Sequence, residues 1–227
     1  MEYTCKTCGQ RGPHKCFGLI SAIPEKPKYD TKSPLIIQLS GKKRAGKDTV
    51  AKYLTTALET VYDYHVETMS FAEPMKAIAA TILGITPEQL DEYKNDFIQF
   101  GLTIQNNYDS ATEHRTNCRE FLQRLGSDAI KPWFGNDVWS KLLLGRIENS
   151  TADVIIIPDW RFEIEEIISS LKIRITSNMC DLTDTHVSET ELDNYPAFDL
   201  ILNNDNYNLT QPQIEWLVST DRRFNKC

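Results

Sequence analysis

One feature restricts this chain more than any other: the apolar run Leu35-Ile36-Ile37-Gln38-Leu39-Ser40 opens directly onto Gly41-Lys42-Lys43-Arg44-Ala45-Gly46-Lys47-Asp48-Thr49. A strand must enter this loop and a helix must leave it. The two glycines, Gly41 and Gly46, let the backbone curl so that successive N–H groups point inward, while Lys47 adds a charge at the positive end of the helix that starts there. Such a loop is built to hold phosphate, and a nucleoside triphosphate is its natural guest. The pattern is G-x-x-x-x-G-K, but Asp48 stands where a Ser or Thr usually binds magnesium, with Thr49 one place later. The metal is then held either by Asp48, through water, or by Thr49. The bland alternative is a strand-to-helix turn with scattered lysines. The order strand, loop, helix favours the phosphate loop.

At 227 residues the chain has room for one well-buried domain with a small appendage, since domains commonly run to ~100–200 residues. A formal net charge of −7 and a pI near 5.2 argue against broad electrostatic binding of nucleic acid, which needs a basic face. Small anionic substrates need only a local basic pocket. No positively charged leader precedes an apolar core, and no apolar run approaches the ~20 residues of a membrane span, so a soluble cytoplasmic protein is expected. Six cysteines are too few and too unevenly placed for a secreted disulfide framework.

Three of those cysteines cluster near the start. Cys5, Cys8, His14 and Cys16 offer the thiolate and imidazole ligands that zinc prefers, around a Gly/Pro-marked turn, and four ligands would close a tetrahedral structural site. Residues 1–20 therefore read as a zinc knuckle or as a reduced tail. Residues 21–34, with Pro24, Pro27 and Pro34 among charged residues, read as a linker in either case. The domain proper is 35–227.

Beyond the loop, Val50, Ala51, Leu54 and Leu58 recur at helical spacing over 47–59. A short strand over 66–70 leads into a helix that Pro74 opens and Gly84 stops. Residues 91–116 are polar and weakly periodic, an excursion over the surface. In the helix over 119–128, Phe121, Leu122 and Leu125 form the apolar side, which leaves Arg119 and Gln123 together one turn apart. A further helix over 137–147 carries Trp139. The run Val154-Ile155-Ile156-Ile157 reads as a strand buried on both faces, with Asp159 and Arg161 just beyond its end, where open α/β sheets bind ligands. Strands over 172–177 and 199–202 complete a parallel α/β sheet with helices on both faces.

Taken in order, Gly41 to Thr49, Phe71 to Lys76, Arg119 to Asp128 ending Leu-Gly-Ser-Asp, Pro158 to Arg161, and Asp184 to Glu189 resemble the motifs of the bacteriophage deoxynucleoside monophosphate kinases. These enzymes have the P-loop nucleotide-kinase fold. The likeness spans roughly 35–204. It implies that Lys43, Arg44, Gly46, Lys47, Asp48 and Thr49 hold the phosphates of ATP and magnesium, and that Met75 and Lys76 border the monophosphate. Arg119, Gln123, Gly126 and Ser127 would contact the substrate's phosphate or base, with Trp139 packed beside it. Asp159, Arg161 and Glu165 would face the reacting phosphates or the sugar. His186 and Glu189 match a family segment, and Glu189 is counted with the substrate-binding residues. Asn203 and Asn204 fall where such folds seat adenine. The family's arginine just after the fourth strand corresponds to Ser177, with Arg174 three residues earlier, and its arginine in the surface excursion corresponds to Arg115 or to none.

The chemistry follows from the residues alone: two anions held in line and a spreading charge met by cations. Lys47, Arg161, the metal and one of Arg44, Arg119 or Arg124 suffice, with Asp159 beside them. Bland readings stand next to these. Arg119 and Arg124 could be solvated helix charges, Asp159 a cap for a helix starting near Arg161, and Trp139 and Trp160 plain core. Lys172, outside every motif, reads as neutral. The expected activity is phosphoryl transfer from ATP to a deoxynucleoside monophosphate. Competing readings are kinases of other phosphorylated acceptors, like the phosphomevalonate and dephospho-coenzyme A kinases, and a zinc-knuckle NTPase acting on nucleic acid. Expected partners are small nucleotides, with neither membrane nor nucleic acid, and a homodimer stays open.

Overall fold

The computed structural model describes residues 33–92, the backbone of 103–105 and 113–115, residues 118–220 (207–209 as backbone only) and residue 224. The zinc candidates Cys5, Cys8, His14 and Cys16, all but the end of the 21–34 linker, and the side chain of Arg115 lie outside the described residues.

Five parallel strands form the sheet: β1 (Leu35–Ser40), β2 (Val66–Thr68), β5 (Val154–Ile157), β6 (Leu171–Thr176) and β7 (Leu200–Asn203), in the spatial order β2-β5-β1-β6-β7. The central strand β1 pairs with β5 through Leu35↔Val154 to Gln38↔Ile157, and with β6 through Ile37↔Leu171 to Ser40↔Arg174. Strands β3 (Thr103–Gln105) and β4 (Glu113–Arg115) form a separate antiparallel pair. The surface excursion thus contains paired strands. At three residues each they are too short for an alternating pattern to show in sequence.

Both sheet faces are apolar because alternate residues of each strand serve opposite sides. Ile37, Leu39, Val154 and Ile156 face helices α1 (Lys47–Tyr62) and α8 (Tyr207–Thr220), which contribute Val50, Leu54, Leu58, Ile214 and Leu217. Ile36, Ile155 and Ile157 face the other way, against Leu143 and Ile147 of α6 (Val138–Glu148) and against Trp160. Trp160 is core, packed edge-on against Tyr195 and Phe198. A third cluster, Ala79, Leu90, Cys118 and Leu122, joins α2 (Glu73–Leu83), α3 (Pro87–Glu92) and α4 (Cys118–Gln123). It builds an outer wall beside the sheet edge.

One polar residue interrupts the apolar β1. Gln38 is fully buried, so each of its polar groups must find a partner. Its Nε2 donates to the Glu165 carbonyl at 2.8 Å, and its Oε1 accepts from Ile167 N and Ser170 Oγ, each at 2.8 Å. The segment after Arg161 is thereby fastened to the central strand. Lys172 is also engaged: it is buried, and its Nζ pairs with Glu166 at 2.8 Å.

The helix expected over 119–128 changes character halfway. After α4 the chain continues as a π-helix over Arg124–Ile130 and then α5 (Lys131–Phe134). A Cβ at Gly126 would stand 2.5 Å from Met75 Sδ, so this turn packs directly against the Met75 side chain of α2. Among the described residues no helix is long and apolar enough to cross a membrane.

Candidate active site

Strand β1 leads first to β2 and β5 on one side of the sheet, and the chain then passes to β6 and β7 on the other. The crevice at the carboxyl end of β1 is therefore the switch point where open parallel sheets bind ligands. Every loop leaving that edge carries candidate residues.

The loop over 41–47 is shaped by close approaches. A Cβ on Gly41 would stand 2.6 Å from the Ile175 carbonyl oxygen, and Gly46 has φ +84° with Asn204 Nδ2 only 2.1 Å from where its Cβ would be. Arg44 is itself left-handed at φ 66°. Lys47 Nζ folds back onto the carbonyls of Gly41 at 2.6 Å and Lys42 at 3.0 Å. Burial, then the nearby Arg161 charge, lower its pKa below the usual lysine range. Asp48 and Thr49 stand exposed on the first turn of α1. Among the described residues no three His, Cys, Asp or Glu side chains converge on a metal position. A magnesium ion at this loop mouth would complete its shell from phosphate oxygens and water, which suits its preference.

The loop already holds a carboxylate. Lys43 N donates to Glu189 Oε2 at 2.7 Å, and the other carboxylate oxygen of Glu189 pairs with the Arg161 guanidinium. Glu189 is only 8% exposed. It belongs to α7 (Val187–Thr190), whose N-cap is His186: the His186 Nδ1 accepts from Ser188 N at 3.2 Å. A helix start is thus the structural role of that histidine.

Beside the loop opens a cleft of about 420 Å³, within the usual range for small-molecule sites of ~300–1,000 Å³. The structure brings all eleven sequence-named acceptor residues to it. Met75 and Lys76 come from α2, Arg119 and Gln123 from α4, and Gly126 and Ser127 from the π-helix. Trp139 of α6, Asp159, Arg161, Glu165 and Glu189 complete the group. Sequence reasoning missed Lys131, whose Nζ lies 4.9 Å from the centre of the Phe162 ring, and the apolar walls Phe71 and Phe162. The π-turn advances the helix by one extra residue, so helical spacing counted from Arg119 gives no sign that Lys131 reaches the cleft.

Two carboxylates in the cleft have defined jobs. Asp159 caps no helix near Arg161. It holds the start of α2, accepting from Ser70 Oγ at 2.5 Å, Phe71 N at 3.1 Å and Ala72 N at 3.0 Å. These bonds fix the start of α2 while Asp159 also lines the cleft. Glu165 Oε2 accepts from Arg161 N at 3.0 Å and Phe162 N at 3.2 Å. Burial outweighs these bonds and raises its pKa to about 7.

Other candidates are engaged elsewhere. Arg124 pairs with Glu120 at 2.7 Å, one turn back on its own helix. Arg174 is bound to Asp193 at 2.6 Å and to Ser40 Oγ at 3.0 Å. Asn204 Nδ2 donates to the Ala45 carbonyl at 3.0 Å, so this residue is a prop for the phosphate loop. Asn203 closes a turn with Asp205 through bonds of 2.9 Å in both directions. The chain matches no protein-family model and no curated protein.

Proposed function

We propose that the protein transfers the terminal phosphoryl group of ATP to a deoxynucleoside monophosphate. The observation that carries this reading is that the curled loop over 41–47 and a cleft lined by Lys76, Arg119 and Arg161 adjoin at one edge of the sheet. The charge of Arg161 is felt at Lys47 in the phosphate loop, and its side chain lines the acceptor cleft. Phosphoryl transfer asks for little covalent help. It asks for two anions in line and for cations where charge spreads.

In this reading the curled backbone of 41–47 cradles the donor phosphates, and Lys47 Nζ turns from the Gly41 and Lys42 carbonyls to the phosphate oxygens. Lys43 and Arg44 flank the same phosphates. Lys76 and Arg119 draw the acceptor phosphate into the cleft. Phe71, Trp139 and Phe162 offer flat apolar surface for a ring, which favours a nucleobase over an isoprenoid chain. Asp48, through water, or Thr49 would hold magnesium, which would supply charge neutralisation at the phosphates. The buried floor of Gln38, Glu165 and Trp160 keeps the Arg161 segment fixed, so that little reorganisation is needed at the moment of transfer.

A product assay with ATP, magnesium and each deoxynucleoside monophosphate tests the proposal, with phosphomevalonate and dephospho-coenzyme A as competing acceptors. Diphosphate formed from a deoxynucleoside monophosphate supports it, and product only from another acceptor replaces it.

A further inference from the structure

We propose that Glu189 is a built-in phosphate surrogate: its carboxylate takes loop and arginine donors that a bound phosphate would use, and phosphate binding must displace it. The inference rests on the phosphate-loop reading and adds a competitor and a coupling to it. A carboxylate held by a loop backbone N–H and an arginine uses the donors that a transferring phosphoryl group needs. Lys43 N at 2.7 Å and the Arg161 guanidinium are those donors, and Lys47 feels the Glu189 charge as well. Two anions cannot share such a position, because like charges a few ångströms apart in a partly buried site repel strongly.

Displacing Glu189 moves more than one side chain. Its own carbonyl accepts from Lys42 Nζ at 3.3 Å, and the segment leading to it is tied to the loop where Asp181 N donates to the Lys43 carbonyl at 3.1 Å. Asp184, His186 and Ser188 of that segment line the acceptor cleft. Expelling the carboxylate therefore loosens the Glu189 end of the segment over 181–194, while Asp193 stays tied to Lys42 and Arg174, and reshapes the wall of the cleft. The energy spent on expelling Glu189 lowers the apparent affinity for the donor phosphate by the fraction of molecules in which the position is free. Donor binding is thereby linked to the form of the acceptor side, with no second domain involved.

The test uses the full chain and inorganic pyrophosphate as the anion. Calorimetric titration compares wild type with Glu189→Gln, which keeps the shape and loses the charge. Amide hydrogen exchange is read on wild type with and without pyrophosphate. The expected result is binding at least ~5-fold tighter in the variant, with faster exchange over 181–194 and slower exchange over 41–49 when pyrophosphate binds wild type. Equal affinities, or exchange over 181–194 that stays unchanged or slows, overturn the surrogate while leaving the phosphate loop intact. Failure of both proteins to bind pyrophosphate overturns the phosphate-loop reading and the surrogate with it.

Discussion

The Asp159 carboxylate accepts a 2.5 Å hydrogen bond from the Ser70 hydroxyl, joining the end of β5 to the start of α2 across 89 positions of sequence. With the Phe71 and Ala72 amides bound to the same carboxylate, the first turn of α2 is fixed in space. Met75 and Lys76 then meet the cleft at a set position.

Replacing Asp159 by Ala removes the cap on three donors. Loss of a partly buried acceptor shared by backbone amides costs about 1–3 kcal/mol. The expected outcome is a lower melting temperature and a raised KM for the acceptor, with the KM for ATP changed less. Steady-state kinetics with each substrate varied in turn checks it. An equal rise in both constants would place Asp159 in the phosphate site instead.

Gly46 and Asn204 form a second pair open to test. An alanine at Gly46 must adopt φ +84° and approach Asn204 Nδ2, and the left-handed conformation alone costs ~1–2 kcal/mol. Gly46→Ala should destabilise the fold and weaken pyrophosphate binding. Asn204→Ala clears the contact, so the double variant should be more stable than the sum of the single losses. Denaturant melts of the four proteins decide this. Strict additivity would mean that the two residues do not press on each other.

Much of this site was legible because it is local. The strand-loop-helix signature lies within fifteen residues, and the one-turn spacing of Arg119 and Gln123 put both on the cleft side. The apolar run of β5 announced a strand buried on both faces. What stayed hidden depends on distant partners. Asp159 could not be matched with Phe71 across 88 positions, nor Asn204 with the Ala45 carbonyl across 159. The carboxylate of Glu189 meets the loop at Lys43 N across 146 positions. Lys172 showed no motif, yet a buried lysine needs an acid, and Glu166 supplies it.

Glu165 gives stability a pH dependence of known sign. Its pKa rises from 4.5 unfolded to about 7 folded, mainly through burial. The folded state therefore holds the proton more tightly, and the stabilisation present below pH 4.5 is lost as the pH rises to about 7. At ~1.4 kcal/mol per pH unit this amounts to about 3 kcal/mol. Glu165→Gln should flatten the decline in unfolding free energy over that window, as measured by urea titration at several pH values. An unchanged slope would show that Glu165 does not set it.

The central claim is that Lys47 and Arg161 stabilise charge on a phosphoryl group in flight. Removing a preorganised cation of that kind costs ~3–4 kcal/mol, or ~100- to 1,000-fold in turnover. Lys52 is exposed on α1 and serves as the control. Turnover of ATP and deoxynucleoside monophosphates is measured for wild type, Lys47→Ala, Arg161→Ala and Lys52→Ala, with melting curves confirming that each is folded. The account predicts diphosphate product from wild type, a ~100-fold or greater fall in kcat for the first two variants, and near-normal turnover for the third. No diphosphate from any deoxynucleoside monophosphate with wild type, or near-normal turnover in Lys47→Ala, would contradict it.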